Sequence, residues 1–214
     1  MKLIGVFGGM FDPVHYGHLR SALEVQQHFG LDHVRLVPCA QPPHRDAPAA
    51  AAPARFGMVE VAVSDQPGLV ADDCEISRGG SSYTVDTISV MQERFAGDAF
   101  CLLLGMDAFL GFCRWHRWRE ILDKAHIIVM HRPGYHPSPE GELKAVYDAR
   151  YSADLADMRN NMHGGIYTHA VTQLEISSTQ IRDSIKQGKN IRYLMPDTVM
   201  HFINEKNYYR DTAI

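Results

Sequence analysis

The residues best suited to chemistry stand near the start of the 214-residue chain, in the run Gly8-Gly9-Met10-Phe11-Asp12-Pro13-Val14-His15-Tyr16-Gly17-His18. Two adjacent glycines let a backbone approach a bulky anion, and free N–H groups at the start of a following helix add partial positive charge in the same place. Phosphate is the guest such a turn suits. His15 and His18, three residues apart, can turn both imidazoles to one pocket, each donating a hydrogen bond to a phosphoryl oxygen. The same spacing fits two legs of a zinc site, but no third or fourth ligand stands nearby at helical or hairpin spacing. Neither G-x-x-x-x-G-K-[ST] nor, after a strand, G-x-G-x-x-G is present, so a Walker-type nucleotidase and a dinucleotide oxidoreductase have no motif here.

A second cluster lies far along the chain, in Glu175-Ile176-Ser177-Ser178-Thr179-Gln180-Ile181-Arg182. Ser177 and Gln180 have the spacing of a capping box, which starts a helix. Arg182 then falls four residues after Ser178 and three after Thr179, so one side of the first turn presents a guanidinium, hydroxyls and backbone N–H groups together. A planar guanidinium binds two phosphate oxygens at once, so a triphosphate tail fits there. The plain alternative is a serine cap followed by a solvent-facing arginine.

The elements that must position these clusters alternate. Apolar runs at residues 2–7, 33–39, 69–76, 99–104, 126–130 and 171–176 read as strands. Helical spacing appears from His18 to Phe29 and Gly30, over 56–64, from Thr84 with Val85, Ile88, Met91 and Phe95 inward, over 108–122, around 140–154, from Ser177 to a cap at Gly188, and over 196–205. The expected fold is therefore α/β, a Rossmann-like, doubly wound parallel sheet with a small C-terminal helical part at about 177–214, all one domain over 1–214. Ligands of such sheets bind beyond the carboxyl ends of the strands. The Pro/Ala stretch at 46–54 reads as a mobile surface loop, and 135–167 carries no assignable role.

Composition narrows the partners. With 21 Lys and Arg against 25 Asp and Glu, the net charge is −4, so no global positive field exists to hold a nucleic acid or an anionic membrane. No apolar run approaches the ~18 residues of a membrane span, and Gly5 interrupts the first run before a leader forms. A cytoplasmic protein is expected, with homo-oligomer formation left open. Cys39, Cys74, Cys101 and Cys113 form no C-x-x-C pair, so neither a zinc knuckle nor a redox dithiol is visible.

The first cluster resembles the H-x-G-H signature of the nucleotidyltransferase superfamily, and residues 175–182 resemble its I-S-S-T-x-I-R signature, in the expected order. Between them, PPHR (42–45), SYTVDT (82–87), LGMDAF (104–109) and the 115–118 stretch resemble the bacterial nicotinate-mononucleotide adenylyltransferases, a likeness spanning roughly residues 3–205. The resemblance implies adenylyl transfer from ATP, with Mg2+, to nicotinate mononucleotide, giving nicotinate adenine dinucleotide and pyrophosphate. It implies His15, His18 and Arg182 as catalytic, and ATP contacts from Gly8, Gly9, Met10, His15, His18, Arg45, Gly105, Ser177, Ser178, Thr179 and Arg182. Substrate contacts fall to Phe11, His44, Ser82, Tyr83, Thr84, Asp107, Trp115 and His116, with no protein metal site. Trp115 offers a flat face to the pyridine ring, the helix start at Thr84 suits its carboxylate, and Asp107 suits ribose hydroxyls. Two departures stand out: Met10 replaces the usual Ser or Thr, and Arg45 stands where Lys is common. Other readings are a relative acting on another phosphate, such as pantetheine phosphate, and a nucleotide-binding regulator that has lost catalysis.

Overall fold

The structure, a computed structural model, describes residues 1–42, 47–135 and 138–210. Six short runs rich in Val, Ile, Leu and Phe form an all-parallel sheet: β1 (Leu3–Gly9), β2 (His33–Pro38), β3 (Leu69–Ala71), β4 (Ala99–Gly105), β5 (His126–His131) and β6 (Ile166–Ala170). Their order is β3-β2-β1-β4-β5-β6, so the winding reverses between β1 and β4. That switch point is where a crevice opens beyond the strand ends.

Alternation along each strand explains the two layers of helices. On β4, Ala99, Cys101 and Leu103 share a core with α1 (Tyr16–Phe29), α2 (Ala52–Val63), α9 (Ser178–Lys186) and α10 (Asp197–Glu205). Phe100 and the residues after it at every second place, Leu102 and Leu104, pack the other way, with α4 (Thr84–Arg94), α5 (Met106–Leu110) and α6 (Trp118–Leu122). The short α3 (Cys74–Arg78), α7 (Gly141–Arg150) and α8 (Leu155–Asn160) complete the helices of the described residues. A sheet buried on both faces needs runs as apolar as these.

Five sequence expectations require correction. The strand expected over 69–76 ends at Ala71, because the carboxylate of Asp72 takes the N–H of Cys74 (2.9 Å) and the guanidinium groups of Arg35 and Arg94, turning the chain into α3. The helix expected over 108–122 is three short pieces, α5, a 3-10 turn at Phe112–Arg114 and α6, divided at Gly111 and at Arg117, whose φ is +50°. The helix expected around 140–154 is α7 and stops early, at Arg150, with α8 a separate helix after it. Tyr151 is extended between them, and the Asp154 side chain caps α8 by accepting the Ala156 N–H (2.8 Å).

The strand expected at 171–176 is instead β6 at 166–170. Its residues pair with 127–131 of β5, and by Thr172 the chain has left the sheet to donate to the Glu24 carboxylate (2.7 Å). The Pro/Ala stretch is no loose loop: Ala50 and Ala54 are buried, and α2 begins at Ala52 with Pro53 in its first turn, where a missing N–H costs nothing. Asp46 of that stretch lies outside the described residues.

Candidate active site

β1 delivers Gly8 and Gly9 to the sheet's carboxyl edge, beside a cavity of about 1190 Å³. Its walls include Gly8, Gly9, Met10, Phe11, Asp12 and His18 from the first signature and Ser178, Thr179 and Arg182 from the second. Ser82, Tyr83, Thr84, Gly105, Trp115 and His116 complete the lining among the expected residues. The volume exceeds the range of about 300–1,000 Å³ common for a single small ligand. A Cβ at Gly8 would meet nothing within 4 Å, so the backbone there is open to the cavity.

Phe11 adopts φ +47° and is buried edge-on against the rings of Phe7 (5.7 Å) and His18 (5.0 Å). This is a strained backbone held by packing. His15 caps the start of α1 in an extended conformation and stacks on His18 at 3.8 Å. Gly17 makes that stack fit, since a Cβ there would stand 3.0 Å from the His15 ring. His18 reaches the cavity wall; His15 stands behind it and does not line the cavity.

The Nδ1 atoms of both rings are buried without a partner among the described residues. Burial lowers the His15 pKa to about 4. Burial, and then the neighbouring His15, lower that of His18 to about 3. Both imidazoles are therefore neutral at pH 7, able to donate one N–H each. An arriving anion favours their protonated forms.

The second signature closes on the first. The Ser178 hydroxyl donates to the Pro13 carbonyl (2.9 Å), and Arg182 Nη1 donates to the Asp12 carbonyl (2.7 Å), across 165 and 170 positions of sequence. Arg182 Nη2 also meets the Thr179 hydroxyl (3.2 Å), and Ser177 caps α9 by accepting the Gln180 N–H (3.1 Å). Ser177 itself lies outside the cavity lining.

On the other wall, the Ser82 hydroxyl accepts the N–H groups of Ala40 (2.8 Å) and Gln41 (3.2 Å), tying the start of α4 to the segment after β2. Tyr83 precedes α4 and its ring lies 4.3 Å from that of His116. Trp115 is half-buried against Phe112. Asp107 is exposed in the first turn of α5 and is not among the residues lining the cavity, although Gly105 and Ala108 close by are. His44 and Arg45 lie outside the described residues.

Three contributors escaped the sequence reading. Asp12, 3% exposed, accepts the N–H groups of Ala49 (2.7 Å) and Ala50 (3.1 Å) and the hydroxyl of Tyr209 (2.7 Å). Arg55, fully buried, donates to the carbonyls of Met10 (2.7 Å), Cys39 (2.6 Å) and Ala50 (3.0 Å), joining three segments of the cavity rim. The only signal for Asp12 was its place inside the first signature; Arg55 and Tyr209 carried none. Met10 turns its sulfur toward Cys39 Sγ (3.1 Å), so only its backbone serves the turn.

A doubly wound parallel sheet, a glycine turn with two histidines at the switch point and an arginine brought to it from a distant helix define a nucleotidyltransferase. The chain belongs to the cytidylyltransferase-like family, which it matches over residues 6–184. More narrowly, it is similar to the protein named "Probable nicotinate-nucleotide adenylyltransferase" of Methylococcus capsulatus, 43% identical over 97% of this chain and 99% of the relative. The protein of that name from Pseudomonas fluorescens is 46% identical, over 98% of each chain. In fold the chain is similar to a solved structure of Plasmodium falciparum nicotinic acid mononucleotide adenylyltransferase complexed with NaAD. The TM-score is 0.73 at 17% identity, over 98% of each chain.

Proposed function

We propose that the chain is a nicotinate-nucleotide adenylyltransferase, joining ATP and nicotinate mononucleotide into nicotinate adenine dinucleotide and releasing pyrophosphate. A phosphate oxygen of the mononucleotide attacks the α-phosphorus of ATP, and the bond from that phosphorus to the oxygen bridging to the β-phosphorus breaks, its electron pair leaving with pyrophosphate. No protein nucleophile is needed, so the residues position reactants and stabilise charge. The observation that carries this reading is the meeting of the two signatures: Arg182 and Ser178 bonded to Asp12 and Pro13 beside His18.

The open backbone at Gly8, next to Gly9 packed against the Phe11 ring, admits the phosphates, and His18, backed by His15, donates to them as charge builds between the α- and β-phosphorus. Arg182, Ser178 and Thr179 take the tail of the triphosphate, with Met10 and Gly105 supplying backbone and Arg45 further charge. The helix start at Thr84, with Ser82, Tyr83, His44 and His116, takes the pyridine carboxylate, while Phe11 forms the floor and Trp115 the stacking face.

Asp12 is the carboxylate of the described cavity lining, and N–H and O–H donors already occupy it. Among the described residues no group of three or more His, Cys, Asp or Glu is placed to hold a metal. We read Mg2+ as arriving with ATP, where it would neutralise phosphate charge. No described helix is long and apolar enough to cross a membrane. We read the chain as one cytoplasmic domain, with residues 177–214 as its C-terminal helical part.

The test is pyrophosphate release by the purified chain with ATP and, in turn, nicotinate mononucleotide, nicotinamide mononucleotide and pantetheine phosphate. Fastest turnover is expected on nicotinate mononucleotide. No turnover of it, or faster turnover of pantetheine phosphate, overturns the reading.

A further inference from the structure

The chain's last described turn reaches back into the site. Tyr209, the fourth residue beyond α10, adopts φ +63°, a left-handed conformation costly for a side chain of its size. Its ring lies near that of Tyr208 and its hydroxyl near Met58 Sδ (3.5 Å), and that hydroxyl donates to Asp12 Oδ1 at 2.7 Å. Strain of this kind persists where the contact it permits stabilises more than the conformation costs.

Asp12 sits at a conflict. Its carboxylate is buried beside Arg182, the cation best placed to meet a triphosphate, and forms a long ion pair with it, Oδ2 to Nη1 at 3.9 Å, with no hydrogen bond between the two side chains. The guanidinium instead donates to the neutral carbonyl of the same residue. A carboxylate hydrogen-bonded to Arg182 would take up the N–H donors that the phosphates of ATP require. Three donors hold it off: Ala49 N–H on Oδ2, and Ala50 N–H and the Tyr209 hydroxyl on Oδ1. Two of them are backbone groups of the segment that walls the cavity, where Ala47, Pro48 and Ala49 face the ligand space. Burial, and then the bond to Asp12, push the Tyr209 phenol far above its ordinary pKa, so it remains a proton donor at every working pH.

We propose that Tyr209 is a positioning residue for ATP: its hydroxyl anchors the Asp12 carboxylate so that it closes no hydrogen bond on Arg182, leaving the arginine's remaining N–H donors for the triphosphate. The idea rests on ATP being a substrate, as proposed above. Tyr209→Phe removes only the hydroxyl and keeps the ring, so the fold is retained.

The measurement is steady-state kinetics with each substrate varied in turn. In Tyr209→Phe the KM for ATP rises about 5- to 10-fold, the scale of one ordinary hydrogen bond, while that for nicotinate mononucleotide stays within about twofold. Arg182→Lys supplies the second arm. If Tyr209 acts through Arg182, the hydroxyl's removal has little further effect on the KM for ATP in the Arg182→Lys background. Equal rises in both KM values, an unchanged KM for ATP, or additive effects in the double variant overturn the proposal. An inactive parent enzyme would instead sink the functional reading, so the two failures are distinct.

Discussion

The two walls of the cavity are built from different bonds. On the histidine and arginine wall, Asp12, Arg55, Ser178 and Arg182 are joined by hydrogen bonds of 2.6 to 3.1 Å, several to buried backbone carbonyls. On the wall of Tyr83, Trp115 and His116 the contacts are mostly ring against ring, 4.3 Å for Tyr83 on His116 and 5.7 Å for Phe112 on Trp115, on an interrupted helical stretch. Donors aimed at a developing charge must be in place before the reaction, because reorienting them during it would forfeit their benefit. A flat ring needs only a flat surface, and rings that slide serve it well. On the proposed reading the first wall carries the chemistry and the second the selection, and three measurements can break or sharpen that division.

The largest effect falls on the first wall. His18→Ala removes a donor from the phosphate site, and turnover is expected to drop by roughly 10²-fold or more with the fold intact. Near-normal turnover would take His18 out of the mechanism.

On the second wall the effect is smaller and of another kind. Trp115→Ala is expected to raise the KM for nicotinate mononucleotide about 3- to 10-fold, the scale of one aromatic contact, and to leave that for ATP and the turnover number nearly unchanged. A loss confined to turnover would place Trp115 with the chemistry and erase the division.

The smallest effect concerns stability. Burial holds the stacked pair neutral, with pKa values of about 4 for His15 and about 3 for His18 against an ordinary 6.5. The folded protein therefore binds fewer protons there than the unfolded chain. Their contribution to stability is whole above pH 6.5 and is lost as pH falls from 6.5 through about 4 for His15 and about 3 for His18. Thermal melting should occur at lower temperature at pH 5 than at pH 7, and a His15→Gln, His18→Gln variant should show a smaller difference between the two. Other buried histidines, His126 among them, keep that difference above zero. An equal or larger difference in the variant would count against the buried stack.

The contrast between the walls also explains what could be read from the residues alone. The glycine turn, the histidine pair and the helix start at Ser177 are local patterns, with their meaning held in a few neighbouring residues, and strands such as 99–105 announce themselves as unbroken apolar runs. Asp12's partner Tyr209 stands 197 positions away and Arg55's partner Met10 stands 45 away, distances over which no local pattern carries information. The apolar residues at 171–176 had strand character, but their register was already taken by 166–170 along β5. Tertiary pairing decides such cases, and local propensity does not.

The central claim is that His18 and Arg182 grip one polyphosphate. A crystal structure of the protein with a non-hydrolysable ATP analogue and nicotinate mononucleotide tests it most directly. The account predicts phosphate oxygens about 3 Å from both the His18 imidazole and the Arg182 guanidinium, with the pyridine ring against Trp115. A triphosphate bound against Tyr83 and Trp115, with His18 and Arg182 touching no phosphate, would contradict it.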